Sequence, residues 1–169
     1  RLTVGATYSF WRFAMAEQVP RLYELLPDLA LRAEAHPVDI LVRRLEERTL
    51  DLALLLEPPT LAGFRADKIG QIRLVLVSSD PEASVRTALQ DGYVHVDWGD
   101  AFDLFFSKRF GDAAVPLLHT NLASIALDYL QQQRLQNHKA AAWLPQSVLE
   151  SAEGKGLVQV KGVPAFSRP

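Results

Sequence analysis

Four histidines (His36, His95, His119 and His138) are the side chains best suited to proton transfer or metal binding in a chain with no cysteine. None has a partner at the spacing that helical or loop metal sites use. Ser9 has the setting of a nucleophile, following an apolar strand-like run and opening a helix. It lacks the flanking glycines of a nucleophile elbow, so helix capping is its expected role, with Thr7 as the alternative cap. Asp51 and Glu57 bracket one apolar run and would point in different directions, which makes them a poor acid–base pair. No phosphate-binding glycine loop, dinucleotide fingerprint or G-x-S-x-G elbow occurs. These residues support no enzyme and call for no cofactor or metal.

What does recur is a polar group directly after each predicted strand. Thr7, Tyr8 and Ser9 follow the first strand, His36 the second, and Glu57 with Pro58 the third. Trp98-Gly99-Asp100, Thr120-Asn121 and Pro145-Gln146 take the matching places later in the chain. Helix N-termini begin at such positions, and their unpaired N–H groups and macrodipole favour polar or anionic ligands. Each residue taken alone does no more than cap a helix or make a turn. In an α/β protein, however, ligands bind beyond the C-terminal ends of the strands. Trp98 stands open between two roles, a plug for the core and a pocket wall beside the permissive Gly99. Trp11 and Trp143 read as core or interface residues.

The elements that would hold these residues alternate strand and helix. Leu2–Ala6, Leu29–Glu34 and Leu50–Leu56 are short apolar runs, separated by a long periodic segment from Phe10 to Leu26 and by a helix opened by His36-Pro37. Pro20 predicts a kink or break near Gln18-Val19, and Pro37 fits a first helical turn. Further on, Ile72–Ser79, Tyr93–Trp98, Pro116–Thr120, Ala140–Leu144 and Leu157–Val160 read as strands. Helices are predicted over 83–89, 101–110, 121–133 and around 147–153. The polar stretch Gln131–Lys139 reads as a loose loop carrying no site. This rhythm predicts an α/β fold of two Rossmann-like lobes with a cleft between them. Residues 1–68 make the first lobe, 69–162 the second, and 163–169 begin a return to the first.

At 169 residues the chain can bury a real core. Its net charge of −2 is spread along the sequence with no basic tract, so this segment is not expected to bind nucleic acid by itself. No apolar run approaches the ~20 residues of a membrane span, and no basic-then-apolar leader is visible. Both ends read as cuts in a longer protein, since Arg1 directly precedes a strand and Ser167-Arg168-Pro169 looks like part of a connection.

Several of these segments resemble the effector-binding domain of LysR-type transcriptional regulators. The resemblance is carried by Leu2-Thr3-Val4-Gly5, Pro20-Arg21-Leu22, Pro27-Asp28-Leu29, Leu45-Glu46-Glu47-Arg48, Leu50-Asp51-Leu52-Ala53 and Pro58-Pro59. Ala142-Trp143-Leu144-Pro145 stands in the place of the family's late strand and loop. His95-Val96-Asp97-Trp98-Gly99 is similar to the branch typified by HdfR regulators. The family often has Gly before Leu50-Asp51, where this chain has Thr49. The resemblance implies a type II periplasmic-binding-protein-like fold, an interlobe cleft for a small-molecule effector, and a homodimer or tetramer. It implies effector contacts at Thr7, Tyr8, Ser9, His36, Glu57, Trp98, Gly99, Thr120 and Asn121. It implies dimer contacts through the Phe10–Leu26 and Asn121–Leu130 helices. DNA would be bound only through an N-terminal winged helix-turn-helix domain absent from this segment, in the bacterial cytoplasm and away from the membrane. The alternative is a periplasmic solute-binding protein of a transporter, which would need an export signal upstream. A third class, an enzyme on the same fold, would need a reactive Cys or an acid–base cluster.

Overall fold

A computed structural model of the chain describes residues 1–167. The chain divides into two compact units, Arg1–Ile69 and Gly70–Pro169.

In the first unit β1 (Leu2–Ala6) lies between β2 (Leu31–Ala35) and β3 (Leu52–Leu54), all parallel. Ala6 sits opposite Ala35 on one side and Leu54 on the other, so the three strands end at one edge. Helix α3 (Val38–Glu46) crosses from β2 to β3 and drives Leu41 fully into the core beside Leu50. Gly5 makes that close approach possible: a Cβ there would lie 2.6 Å from Leu41 Cδ2 and 2.7 Å from Leu50 Cδ1. Asp51 extends the sheet, its carboxylate accepting from Thr3 N at 2.7 Å while its own N–H donates to Thr3 O at 3.0 Å. At Thr49 the hydroxyl accepts from Arg44 Nε and donates to Arg44 O, both at 3.1 Å, closing the end of α3. The left-handed residue of this turn is Arg48, with φ of 57°.

Two expectations change in the segment after β1. Thr7, not Ser9, caps the helix, accepting from Phe10 N at 3.3 Å, while Ser9 is buried inside the first turn. The long helix is three pieces: α1 (Tyr8–Phe10), a π-helical turn (Trp11–Met15) and α2 (Gln18–Leu25). Pro20 falls in the first turn of α2, where its missing N–H costs least, and the irregular backbone is displaced upstream of it.

In the second unit the sheet order is β6-β5-β7-β4-β8, with β9 also pairing β4. Strands β5 (Tyr93–Val96), β6 (Leu118–Thr120) and β7 (Ala141–Pro145) are parallel. Strand β4 (Arg73–Ser78) runs antiparallel to β7, to β8 (Val158–Gln159) and to β9 (Phe166–Ser167), so this sheet is mixed. Phe166 lies opposite Leu74; the last residues of the expected return, Arg168 and Pro169, lie outside the described residues.

Helix α4 (Val85–Gln90) opens with a capping box made by Ser84 and Thr87. Helix α5 (Asp100–Phe110) lays Phe102, Phe105 and Phe110 against Trp143, which is fully buried at the centre of β7, and Phe106 against Tyr93. Among the described residues the Trp143 indole nitrogen has no hydrogen-bond partner. Phe105 meets the same indole ring at 90°, an edge-to-face aromatic contact. Helix α6 (Ala123–Leu135) runs through most of the stretch expected to be loose. Gln131 anchors it by donating to Glu153 O at 2.7 Å and Lys155 O at 3.1 Å, and Asn137, with φ of 56°, turns the chain out. The chain then continues through α7 (Ser147–Glu150) and a 3-10 turn (Ala152–Gly154). Among the described residues no helix is long and apolar enough to cross a membrane.

Candidate functional site

In the first unit, the expected site residues are gathered by strand register. Thr7, Tyr8 and Ser9 leave β1, His36 leaves β2 and Glu57 follows β3, all at the C-terminal edge of one parallel sheet. His36 N donates to Ala6 O at 3.1 Å, extending the ladder one step past the strands. Tyr8 is half exposed and Ser9 only 5% exposed, so the phenol is far more open to a ligand than the hydroxyl.

His36 is already engaged within its unit. Its Nε2 lies 2.9 Å from Glu34 Oε2 and 2.8 Å from Arg44 Nη1, while Arg44 also pairs with Glu34. Glu34 Oε1 accepts from Arg32 Nε at 2.6 Å. Hydrogen bonds from His36 and Arg32, then the charges of Arg44 and Arg32, pull the Glu34 carboxyl down to about 2. Trp11 closes over this cluster, its Nε1 donating to Glu34 O at 2.7 Å.

In the second unit, β5 and β6 bring the remaining residues together. Val96 is opposite Thr120, and Asp97 N donates to Thr120 O at 2.8 Å, which sets Trp98-Gly99 beside Thr120-Asn121. Gly99 adopts φ of 102°, a region L side chains rarely enter, and leads straight into α5. Trp98 is turned inward at 6% exposure, with Nε1 donating to Trp143 O at 2.9 Å; of its two open roles the structure displays the core plug. The Thr120 hydroxyl accepts from Leu122 N at 3.0 Å.

The same register creates a feature that reading each histidine separately misses. His95 stands opposite His119 in the β5–β6 pair, with ring centroids 5.4 Å apart. A groove of about 690 Å³ runs between α5 and these strands, lined by His95, Asp97, Asp103, Phe106, Ser107, His119, Thr120 and Asn121 among others. His95 Nδ1 lies 3.0 Å from the Tyr93 hydroxyl and its Nε2 3.6 Å from Asp103 Oδ1. Its ring packs on Phe106 at 4.7 Å and Phe102 at 6.1 Å. Burial pushes the Tyr93 phenol pKa up, so this hydroxyl keeps its proton and can donate to Nδ1. Burial lowers His95 below the ordinary imidazole value, against the opposing pull of Asp103. Asp103 is raised above the ordinary carboxylate value by partial burial, then by the charge of Asp97. Among the described residues no three His, Cys, Asp or Glu are placed to hold a metal ion.

Each unit is thus a sheet, one of three parallel strands and one mixed, with polar residues where strands lead into helices. The LysR substrate binding domain profile matches residues 1–168, and the chain belongs to that family, the effector domain of LysR-type transcriptional regulators, with its type II periplasmic-binding-like fold. It is 31% identical over 170 residues to the HTH-type transcriptional regulator HdfR of Salmonella newport (strain SL254) and, at the same identity, to that of Salmonella typhi. The alignment covers 99% of this chain and 58% of each relative, so the chain spans little more than half their length. In structure it is similar to the regulatory domain of HypT from Salmonella typhimurium, solved with bromide ion bound, with a TM-score of 0.72 and 16% identity over 98% of this chain and 81% of that one. The effector domain of AmpR from Pseudomonas aeruginosa gives a TM-score of 0.69 at 17% identity, covering 98% and 79%.

Proposed function

We propose that this chain is the sensing and oligomerising part of a LysR-type regulator, binding a small metabolite and thereby changing how a dimer or tetramer presents its DNA-binding domains. The observation that carries the reading is the gathering of polar residues at parallel strand ends on a fold of this family. Thr7, Tyr8, Ser9, His36 and Glu57 would serve from the first unit, and Trp98, Gly99, Thr120 and Asn121 from the second. In this reading the indole of Trp98 backs the binding edge while the Gly99 turn lets ligand approach the backbone. The regulator works in the bacterial cytoplasm, its DNA-binding domain contributed by the part of the protein that precedes this chain.

An effector can move such an assembly only by its different affinity for the two arrangements. Exposed apolar residues on α2 (Tyr23, Leu25) and at its C-cap (Leu26), with the outward Ile125 of α6, support subunit contacts through those helices. A thermal-shift screen of metabolites tests the sensing step, since a ligand at a hundredfold excess over Kd adds about 2.7 kcal/mol. The hit must then change operator binding by the whole regulator. An export signal upstream of Arg1 in the parent sequence would refute the reading and make the chain a transporter's solute-binding protein.

A further inference from the structure

The groove beside α5 has a chemical character of its own. Its volume of about 690 Å³ suits a small organic molecule better than a lone ion. Asp97 and Asp103 line it, and no lysine or arginine among the described residues does. The imidazole Nε2 of His95 sits 3.6 Å from Asp103 Oδ1, beyond a good hydrogen bond. Burial disfavours a proton on that imidazole, and Asp103 is pushed upward by its partial burial and then by the charge of Asp97. The floor is aromatic, with Phe106 and His95 packed together at 4.7 Å. A metal ion does not fit the donor geometry, and an anion would meet two carboxylates.

We propose that the groove between α5 and the β5–β6 pair binds a small amine, its ammonium held by Asp97 and Asp103 and its carbon skeleton lying on Phe106 and His95. A cation there relieves the repulsion between the carboxylates. The inference deepens the sensor reading by naming a ligand class, and rests on it only in treating binding as a signal, because Thr120 and Asn121 line this groove as well as belonging to the proposed effector set.

The test titrates the amide spectrum of the isotope-labelled chain with 2-phenylethylamine and, in parallel, with 3-phenylpropionate, which has the same ring and spacer but a carboxylate. The amine should give saturable shifts at Ser107, Gly111 and His119, and the acid none. Asp103→Asn should weaken the amine about tenfold or more, the loss expected for one charge-assisted hydrogen bond. Asp97→Asn is the second variant: the amide oxygen can still accept from Gly99 N, as Asp97 Oδ1 does at 3.0 Å, so the turn is retained while the charge goes. The proposal is overturned if the acid binds as tightly as the amine, if the amine leaves α5 unmoved, or if both Asn variants bind it unchanged. An amine that fills the groove without altering DNA binding by the whole regulator upholds this inference and refutes the sensor reading. A metabolite that shifts Thr7, Tyr8 and His36 while the amine shifts nothing does the reverse.

Discussion

Glu34→Gln removes one charge from the Arg32–Glu34–His36–Arg44 cluster while keeping the shape of the side chain. The Glu34 carboxyl lies at about 2 instead of its ordinary 4.5. At ~1.36 kcal/mol per tenfold change in proton affinity, this corresponds to at most ~3.4 kcal/mol of stability in the ionised state. The side chain of Glu34 is 11% exposed, but its partner Arg32 is 60% exposed, so solvent screens part of the interaction. We expect about 1–2 kcal/mol to remain.

The sign follows from a folded pKa below the unfolded one. The stabilisation is complete above pH 4.5 and is lost as pH falls from there toward 2. Urea unfolding at pH 7 should therefore separate the parent and the variant by about 1–2 kcal/mol, and the gap should shrink steadily at pH 4 and pH 3. Tryptophan fluorescence can follow it, because Trp11 touches the backbone of Glu34 while Trp98 and Trp143 lie in the other unit. A gap that does not change with pH, or a variant more stable than the parent at pH 7, would refute the reasoning.

Other substitutions test the packing. Gly5→Ala should cost about 1–3 kcal/mol in denaturant, because the new methyl must displace Leu41 and Leu50, although both are side-chain ends that can give. Leu41→Ala, at a fully buried site, should cost about 2–5 kcal/mol by the same measurement, and a smaller loss would mean that α3 collapses onto β1. Trp98→Phe should cost about 1–3 kcal/mol through the lost bond to Trp143 O, measured by thermal unfolding of the second unit. Ser84→Ala breaks the α4 capping box and should lower stability by about 0.5–2 kcal/mol; hydrogen exchange should quicken first at the start of that helix.

The alternation of strand and helix was legible because its punctuation is chemical. Pro37, Pro58-Pro59, Asp80-Pro81 and Gly99 stop or start elements wherever they stand, and Ile72–Ser79 has too long an apolar run to be anything but an inner strand. Choosing between Ser9 and Thr7 as the cap was harder, because the two hydroxyls are two residues apart and either can begin a helix. Tertiary burial decided it by drawing Ser9 inside. Gln131–Leu135 looked like a loop on polarity alone. The amide of Gln131 reaches Glu153 O and Lys155 O, more than 20 residues away, which no local pattern reveals. The antiparallel placement of β4, β8 and β9 is likewise a matter of long-range pairing. For the site, the strand-end residues could be named from position alone, whereas the groove depends on His95 standing opposite His119, and cross-strand register is not written in either strand.

That register also gives the groove a route to the core of its unit. Asp97 lines the groove and at the same time holds Gly99 N through its carboxylate. Gly99 keeps a backbone angle that an L side chain would resist, and directly before it Trp98 reaches into the core to bond Trp143 O. A cation bound at Asp97 would share that carboxylate with the Gly99 N–H, which uses one of its two oxygens. Any displacement of the turn must be absorbed either by the Trp98–Trp143 bond or by the first residues of α5. Phe102 and Phe106 of that helix are packed against Trp143 and Tyr93, in an interior too dense to yield smoothly. A displacement at Gly99 is therefore resisted on both sides, by the Trp98–Trp143 bond and by the packing of α5. The turn Asp97–Gly99 thus joins a carboxylate that lines the groove to the first residue of α5 within one unit.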